Sequence, residues 1–160
     1  MKGYKSENIR NIALVGHGGC GKTTFLEAAL LATGVISRLG KVEDGNTVSD
    51  HDKMEIEKGY SINTSVVPII WKENKINFID TPGYFDFVGE VNAALRAAEA
   101  AVIMVDAGAG IQVGTEAAWK ACERYKTPRF IVINKRDKDE FDFYKTFGEL
   151  KAKFGEKLIP

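Results

Sequence analysis

Clusters of apolar residues alternate with helix-period stretches along almost the whole chain. Ile9 to Val15 has the length and apolar content of a buried strand. Thr24 to Thr33 (TFLEAALLAT) spaces its apolar residues like a helix and ends at Gly34, the residue type that best accepts the left-handed conformation after a last helical turn. A Gly-rich turn joins the two. Residues 34–60 are polar, charged and Gly-containing, a connection far longer than the ~2–6 residues usual between such elements, and a loop of that length is functional or disordered. Ser61 to Trp71 and Lys75 to Ile79, separated by the turn-like KENK, predict a hairpin. Pro68 lacks an N–H, which puts the first of its strands at a sheet edge. The pattern then predicts a helix over Phe87–Glu99, a strand over Ala101–Val105, a helix over Thr115–Tyr125, a strand over Phe130–Ile133 and a helix over Phe141–Phe154. Such alternation implies a three-layer α/β/α fold, its sheet mostly parallel with one antiparallel edge strand and its helices on both faces.

Length and composition narrow the class without changing this picture. The 160 residues are one domain's worth, and 44% hydrophobic with 28% charged residues excludes a disordered tail, a collagen-like fibre and a disulfide-dense mini-protein. Lys plus Arg equals Asp plus Glu at 22 each, so bulk charge offers no reason to expect DNA or membrane binding. Cys20 and Cys122 lie far apart with no ligand cluster beside either, which fits a reducing compartment and indicates neither disulfide nor zinc. No apolar run approaches the ~20 residues that span a bilayer, so a soluble, untargeted protein is expected; its expected location is cytoplasmic and its expected state a monomer. The chain stops at KLIP, just after a helix and where another strand is due, and a piece of a larger protein is expected on that ground.

The glycines carry the chemistry. Gly16-His17-Gly18-Gly19-Cys20-Gly21-Lys22-Thr23 matches G-x-x-x-x-G-K-[ST] between a strand and a helix, the signature of a P-loop NTPase. Its glycines let successive backbone N–H groups face one anion, and the following helix, which continues through Thr24, adds its positive end. Lys22 would neutralise the β/γ-phosphates, and the Thr23 hydroxyl would serve Mg²⁺. His17 and Cys20 occupy variable positions. Cys20 at a helix start could be a reactive thiol, but a small filler is the simpler reading. Asp80-Thr81-Pro82-Gly83 follows a strand end, where open α/β sheets bind ligands. Asp80 could hold Mg²⁺ through water, the Gly83 N–H could approach a γ-phosphate, and loss of that phosphate would release the segment. Asn134-Lys135-Arg136-Asp137 follows another strand end. Asp137 can accept from guanine N1 and N2, a donor pair that adenine lacks; Asn134 can brace the loop, and the Lys135 stem can cover the base. Alone, each of the last two motifs reads as an ordinary turn or charged loop. In this order after a P-loop they specify a GTPase. Elsewhere, His51 reads as a solvated loop residue, and Phe141, Phe143, Tyr144 and Phe147 read as core or docking surface and not as a base-stacking platform.

With these motifs the sequence resembles the translational GTPases, specifically the G domain of elongation factor G and its elongation-factor-G-like paralogues, over nearly its whole length. Asp50, Glu55 and Lys58-Gly59-Tyr60-Ser61-Ile62 sit at the spacing of that family's first switch, usually RGITI, and Gly110 to Glu116, Trp119 and TPRFIVINKRD resemble its third helix and base-reading strand. The resemblance implies GTP or GDP with Mg²⁺ as cofactors. It implies Thr23, Ser61 and Asp80 as metal ligands, switch I over about 34–62, switch II over about 80–92, and the ribosome as partner of the full-length protein. It makes Lys22, Gly83 and Tyr84 the catalytic positions, with Pro82 and Thr81 in the nucleotide-contacting turn. Two departures are visible. Gly19 replaces the family's P-loop Asp, and Tyr84 replaces the His that orients the attacking water, so binding with a low intrinsic rate is expected. Family members continue through a last guanine-binding loop that this sequence does not reach. A nucleotide-holding module with negligible turnover, a ribosomal (tetracycline) protection factor and an ATP-using kinase or ATPase are the alternatives at this stage.

Overall fold

The structure, a computed structural model, describes residues 3–137, 142–156 and 158–160. Strands β1 (Ile9–Gly16), β2 (Ser65–Trp71), β3 (Asn74–Asp80), β4 (Ala100–Asp106) and β5 (Arg129–Asn134) form one sheet in the order β2-β3-β1-β4-β5. β1 is central and parallel to β3 and β4, β4 is parallel to β5, and only β2–β3 is antiparallel. Pro68 lies on β2 opposite Asn77, at the edge where its missing N–H breaks no ladder. The β2–β3 hairpin turns through Lys72 and Glu73, both at positive φ (45° and 67°), the handedness that a two-residue turn needs to match strand twist.

Helices cover both faces. α1 (Lys22–Ala32) packs Leu26 and Leu30 on Leu14, Val67, Ile69 and Phe78. On the other face, α3 (Val88–Ala97), α4 (Val113–Tyr125) and α5 (Phe143–Phe154) enclose Ala13, Val15, Ile103 and Val105 with Leu95, Ala118, Cys122 and Leu150. Parallel strands buried on both faces are apolar at every position, which is why Ala13, Leu14 and Val15 read as a continuous run. Observed element ends differ from the expected ones by a few residues. Phe141, expected to begin the last helix, lies outside the described residues.

Two expectations need correction. The 34–60 connection contains a helix, α2 (Lys53–Lys58), with Asp52 and Glu55 forming a capping box and Gly59 (φ 69°) ending it. It shows no amphipathic stripe because Met54 and Ile56 are both exposed. The strand expected from Ser61 begins only at Ser65, since the N–H groups of Ile62, Asn63 and Thr64 are taken by the carboxylates of Glu55 and Glu90 and not by a neighbouring strand.

Because α1 is the main helix covering its face of the sheet, Leu26→Ala should cost about 2–5 kcal/mol. Leu31→Ala, on the exposed side of the same helix (41% exposed), should change stability by less than about 0.5 kcal/mol. Urea unfolding of the two variants checks this, and similar losses would contradict the packing.

Candidate functional site

β1 delivers the loop at Gly16, and α1 starts at Lys22, so the intervening residues must reverse within one short turn. Gly21 makes this possible: its φ is 94°, and a Cβ there would collide with Nδ2 of Asn134. The Lys22 ammonium folds back to donate to the carbonyls of Gly16 (3.2 Å) and His17 (3.1 Å). Cys20 is buried, and burial pushes its thiol pKa up against the pull of Lys22, so it is a packing residue and not an activated nucleophile. His17 packs against the first turn of α4 at Gly114, with a buried Nδ1 that has no partner. Thr24 is exposed on the cleft rim.

Asp80, at the end of β3, is the centre of a buried oxygen cluster. Its Oδ2 accepts from Thr23 Oγ1 (2.8 Å) and from Ser49 Oγ (3.1 Å), while Oδ1 is buried without a partner. Ser61 Oγ donates to Asp50 Oδ1 (2.7 Å) and stands 3.4 Å from Thr23 Oγ1; Asp50 Oδ2 is also buried and unpartnered. Burial raises Asp80 from 3.8 to about 6, despite the Thr23 hydrogen bond, the Lys22 charge and the Ser49 hydrogen bond. Burial also raises Asp50, against the hydrogen bond from Ser61. Two carboxylate oxygens left over among three hydroxyls suit a hard divalent cation bound largely through water and phosphate. Among the described residues no cluster of three or more His, Cys, Asp or Glu could hold a metal without such help.

The turn that follows β3 lies against the phosphate loop. Thr81 Oγ1 donates to the Leu14 carbonyl (2.6 Å), fixing the Asp80–Pro82 turn to β1. Gly83 is so close to Gly18 and Lys22 Nζ that a Cβ would approach both at 2.6 Å. The Tyr84 ring lies over Gly18 and contacts the Tyr60 ring (centroids 4.6 Å apart, planes at 57°). Across the mouth, Asn134 Nδ2 donates to the Cys20 carbonyl (3.1 Å). Lys135, at φ 60°, pairs with Asp106 at 2.9 Å. Asp106 is held below its ordinary pKa; burial opposes this, but the Lys135 ammonium and the Gly108 and Ala109 N–H groups prevail.

Beside these groups lies a cleft of about 230 Å³ lined by Gly18, Gly19, Lys22, Thr23, Ser61, Gly83, Tyr84 and Lys135 among others; Asp80 and Asn134 stand behind its lining. Asp137 is exposed and lies outside the cleft lining. The sequence reading missed Ser49 and Asp106. No local motif marks a lone Ser in a long loop, whereas Asp106 at a strand's carboxyl end carried the same positional signal as Asp80 and Asn134.

A five-stranded P-loop domain with phosphate loop, strand-end aspartate and base-loop brace around one cleft defines a nucleotide-binding α/β domain. The model of the elongation factor Tu GTP-binding domain family matches residues 7–159, and the chain belongs to that family. It is 44% identical over 154 residues to elongation factor G of Granulibacter bethesdensis, covering 96% of this chain and 22% of that protein. It is 40% identical over 152 residues to an elongation factor G-like protein of Mycobacterium tuberculosis, covering 95% of this chain and 21% of that one. A crystal structure of a Thermus thermophilus protein superimposes with TM-score 0.88 at 44% identity, over 92% of this chain and 22% of its own. The bacterial selenocysteine-specific elongation factor EF-Sec shares the fold, with TM-score 0.72 at 22% identity over 94% of this chain and 24% of its own. The chain thus spans about a fifth of the length of the curated relatives it matches.

The raised pKa of Asp80 sets a pH dependence for the metal-free protein. Its folded value of about 6 exceeds the ordinary 3.8, so its contribution to stability is present below the ordinary value and lost as pH rises through about 6. Between about pH 4.5 and about pH 7.5 the wild type should lose about 2 kcal/mol relative to Asp80→Asn. Denaturant melts in a chelator at both pH values measure this, and parallel curves for the two proteins would contradict it.

Proposed function

We propose that the chain is the GTP-binding and GTP-hydrolysing part of a ribosome-associated elongation-factor-G-like protein. The observation that carries the reading is the Asn134 to Cys20 hydrogen bond, which ties the first residue of NKRD to the phosphate loop, the proximity that one ligand carrying both a base and phosphates would need. In this reading Asp137 swings onto the guanine N1–H and amine, and the Lys135 stem covers the base. The phosphates replace the Gly16 and His17 carbonyls as partners of Lys22, and the loop N–H groups surround them. Thr23, Ser61 and Asp80 would hold Mg²⁺, with Asp50 supporting Ser61. Their spare oxygens suit it, and when bound it supplies charge neutralisation on the β/γ-oxygens.

Hydrolysis needs a water held in line with the γ-phosphate. The Gly83 backbone lies close to the phosphate loop, and Tyr84 stands beside it. A phenol is a poor general base and acts chiefly as a donor to phosphate oxygens or water. Its ring is held by Gly18 and Tyr60, which favours slow intrinsic turnover and gives the module with negligible turnover its one structural argument. Among the described residues no helix is long and apolar enough to cross a membrane. A cytoplasmic monomer remains part of this proposal.

Lys22→Ala should abolish tight GTP and GDP binding while leaving the circular dichroism spectrum unchanged. Asp137→Asn should move preference from GTP toward XTP, whose C2 carbonyl accepts where guanine's amine donates. Calorimetry with the three nucleotides tests both substitutions; retained affinity in the first or unchanged selectivity in the second would refute the nucleotide assignment.

In the full-length protein, Tyr84→His should raise single-turnover hydrolysis mainly when ribosomes are present. Equal rates for wild type, Tyr84→His and Tyr84→Phe would remove Tyr84 from the mechanism.

A further inference from the structure

Of the three hydroxyls in the oxygen cluster, Ser61 is the one that follows α2, and the residues after it have no regular structure to hold them. The N–H groups of Ile62 and Asn63 both go to Glu55 Oε1 at 3.0 Å, and Thr64 N–H goes to Glu90 Oε2 at 2.9 Å. These two carboxylates differ in origin. Glu55 belongs to α2 within the same loop and would travel with it, whereas Glu90 lies in the first turn of α3, the helix that follows the Asp80–Gly83 turn. The Thr64 Oγ1 is buried without a partner, and the next residue, Ser65, opens β2 and donates its Oγ to the Ser49 carbonyl (2.8 Å). On the other side of Ser61, the adjacent Tyr60 ring meets Tyr84, also from switch II. Switch II therefore grips the chain both before and after Ser61.

We infer that Glu90 is a positioning residue that couples the place of the switch II helix to the place of Ser61. The inference rests on the nucleotide reading above, in which Ser61 serves the triphosphate state. If α3 shifts, Thr64 loses the acceptor of a partly buried N–H beside an already unpartnered hydroxyl. A hydrogen bond to a charged acceptor is among the stronger ones, so the 62–64 segment must leave its position or carry an unsatisfied donor. Ser61 would then withdraw from Asp50 and Thr23. No contact of Glu90 with the phosphate cleft is involved, and its carboxylate does no chemistry.

The test has two independent readouts. In the nucleotide-free chain, Glu90→Ala should accelerate amide exchange at Thr64 about tenfold or more, with Ile62 and Asn63 less affected, and Glu90→Gln, which keeps an acceptor oxygen, should restore most of the protection. With Mg²⁺ present, Glu90→Ala should weaken a non-hydrolysable GTP analogue about tenfold and GDP less than about twofold. In a Ser61→Ala background this selective loss should vanish, since the coupling runs through Ser61. Unchanged Thr64 exchange overturns the inference, as does equal weakening of both nucleotides or persistence of the selective loss without Ser61. A wild-type chain that binds neither nucleotide refutes the functional reading instead, and Thr64 exchange then still decides whether Glu90 holds the segment. Should Glu90→Ala fail to fold, Glu90→Asp, which withdraws the carboxylate by one methylene, serves the same comparisons.

Discussion

A buried carboxylate must be hydrogen-bonded, paired or protonated, and Asp80 meets that demand by drawing two separate parts of the chain to its own strand. It ends β3, takes the Thr23 hydroxyl from the first turn of α1 and takes the Ser49 hydroxyl from the middle of the long loop. Both hydroxyls go to the same oxygen, leaving the other buried and unpartnered. Burial makes this arrangement costly despite the nearby Lys22 charge, and the elevated pKa of the group expresses that cost. The same arrangement leaves an acceptor that a metal-bound water would complete, so one local deficit both organises the loop and suits the ligand.

The loop that follows α1 is ordered by the same means. Glu27, fully buried on α1, accepts from the N–H groups of Gly40 (3.0 Å) and Val48 (2.6 Å). Asp52 and Glu55 close α2, Glu55 reaches on to Ile62 and Asn63, and Glu90 takes Thr64. A strand ladder would satisfy these donors cooperatively and could be released only as a whole. Side-chain carboxylates satisfy them a few at a time, so the segment can be fixed in one state and freed in another without dismantling the sheet.

The sheet and its helices were legible because they obey simple periods. Apolar runs such as Ala13–Val15 and Ile103–Val105 are buried on both faces, and α3, α4 and α5 each turn one apolar side to the sheet. The phosphate loop was legible because its glycines follow from backbone geometry alone, and Asn134 drew attention because it stands at a strand's carboxyl end. What could not be read was set by distant partners. Residues 61–64 look like strand until the carboxylates that take their N–H groups are known, and the Tyr60–Tyr84 contact joins two loops with no shared pattern. α2 was a different kind of miss. Its Asp52–Glu55 capping box and Gly59 stop are local signals, and only the exposed Met54 and Ile56, which deny it an amphipathic stripe, concealed it.

The site thus has two mechanically distinct halves. On one side Gly21 abuts Asn134, Asn134 binds Cys20 and Lys135 pairs with Asp106, all on the ends of neighbouring β-strands or the loop that joins them to α1. Each contact has one partner on the end of β4 or β5, so the half that would hold base and inner phosphates is tied to the sheet. On the other side Ser49, Asp50, Ser61 and Tyr84 sit on segments without strand partners, tied by hydroxyls, carboxylates and one pair of aromatic rings. A ligand that differs only in its outermost phosphate meets the fixed half identically in both forms. Any difference in conformation between the two forms must therefore be expressed in the second half, because a ligand shifts an equilibrium only by its differential affinity for the states.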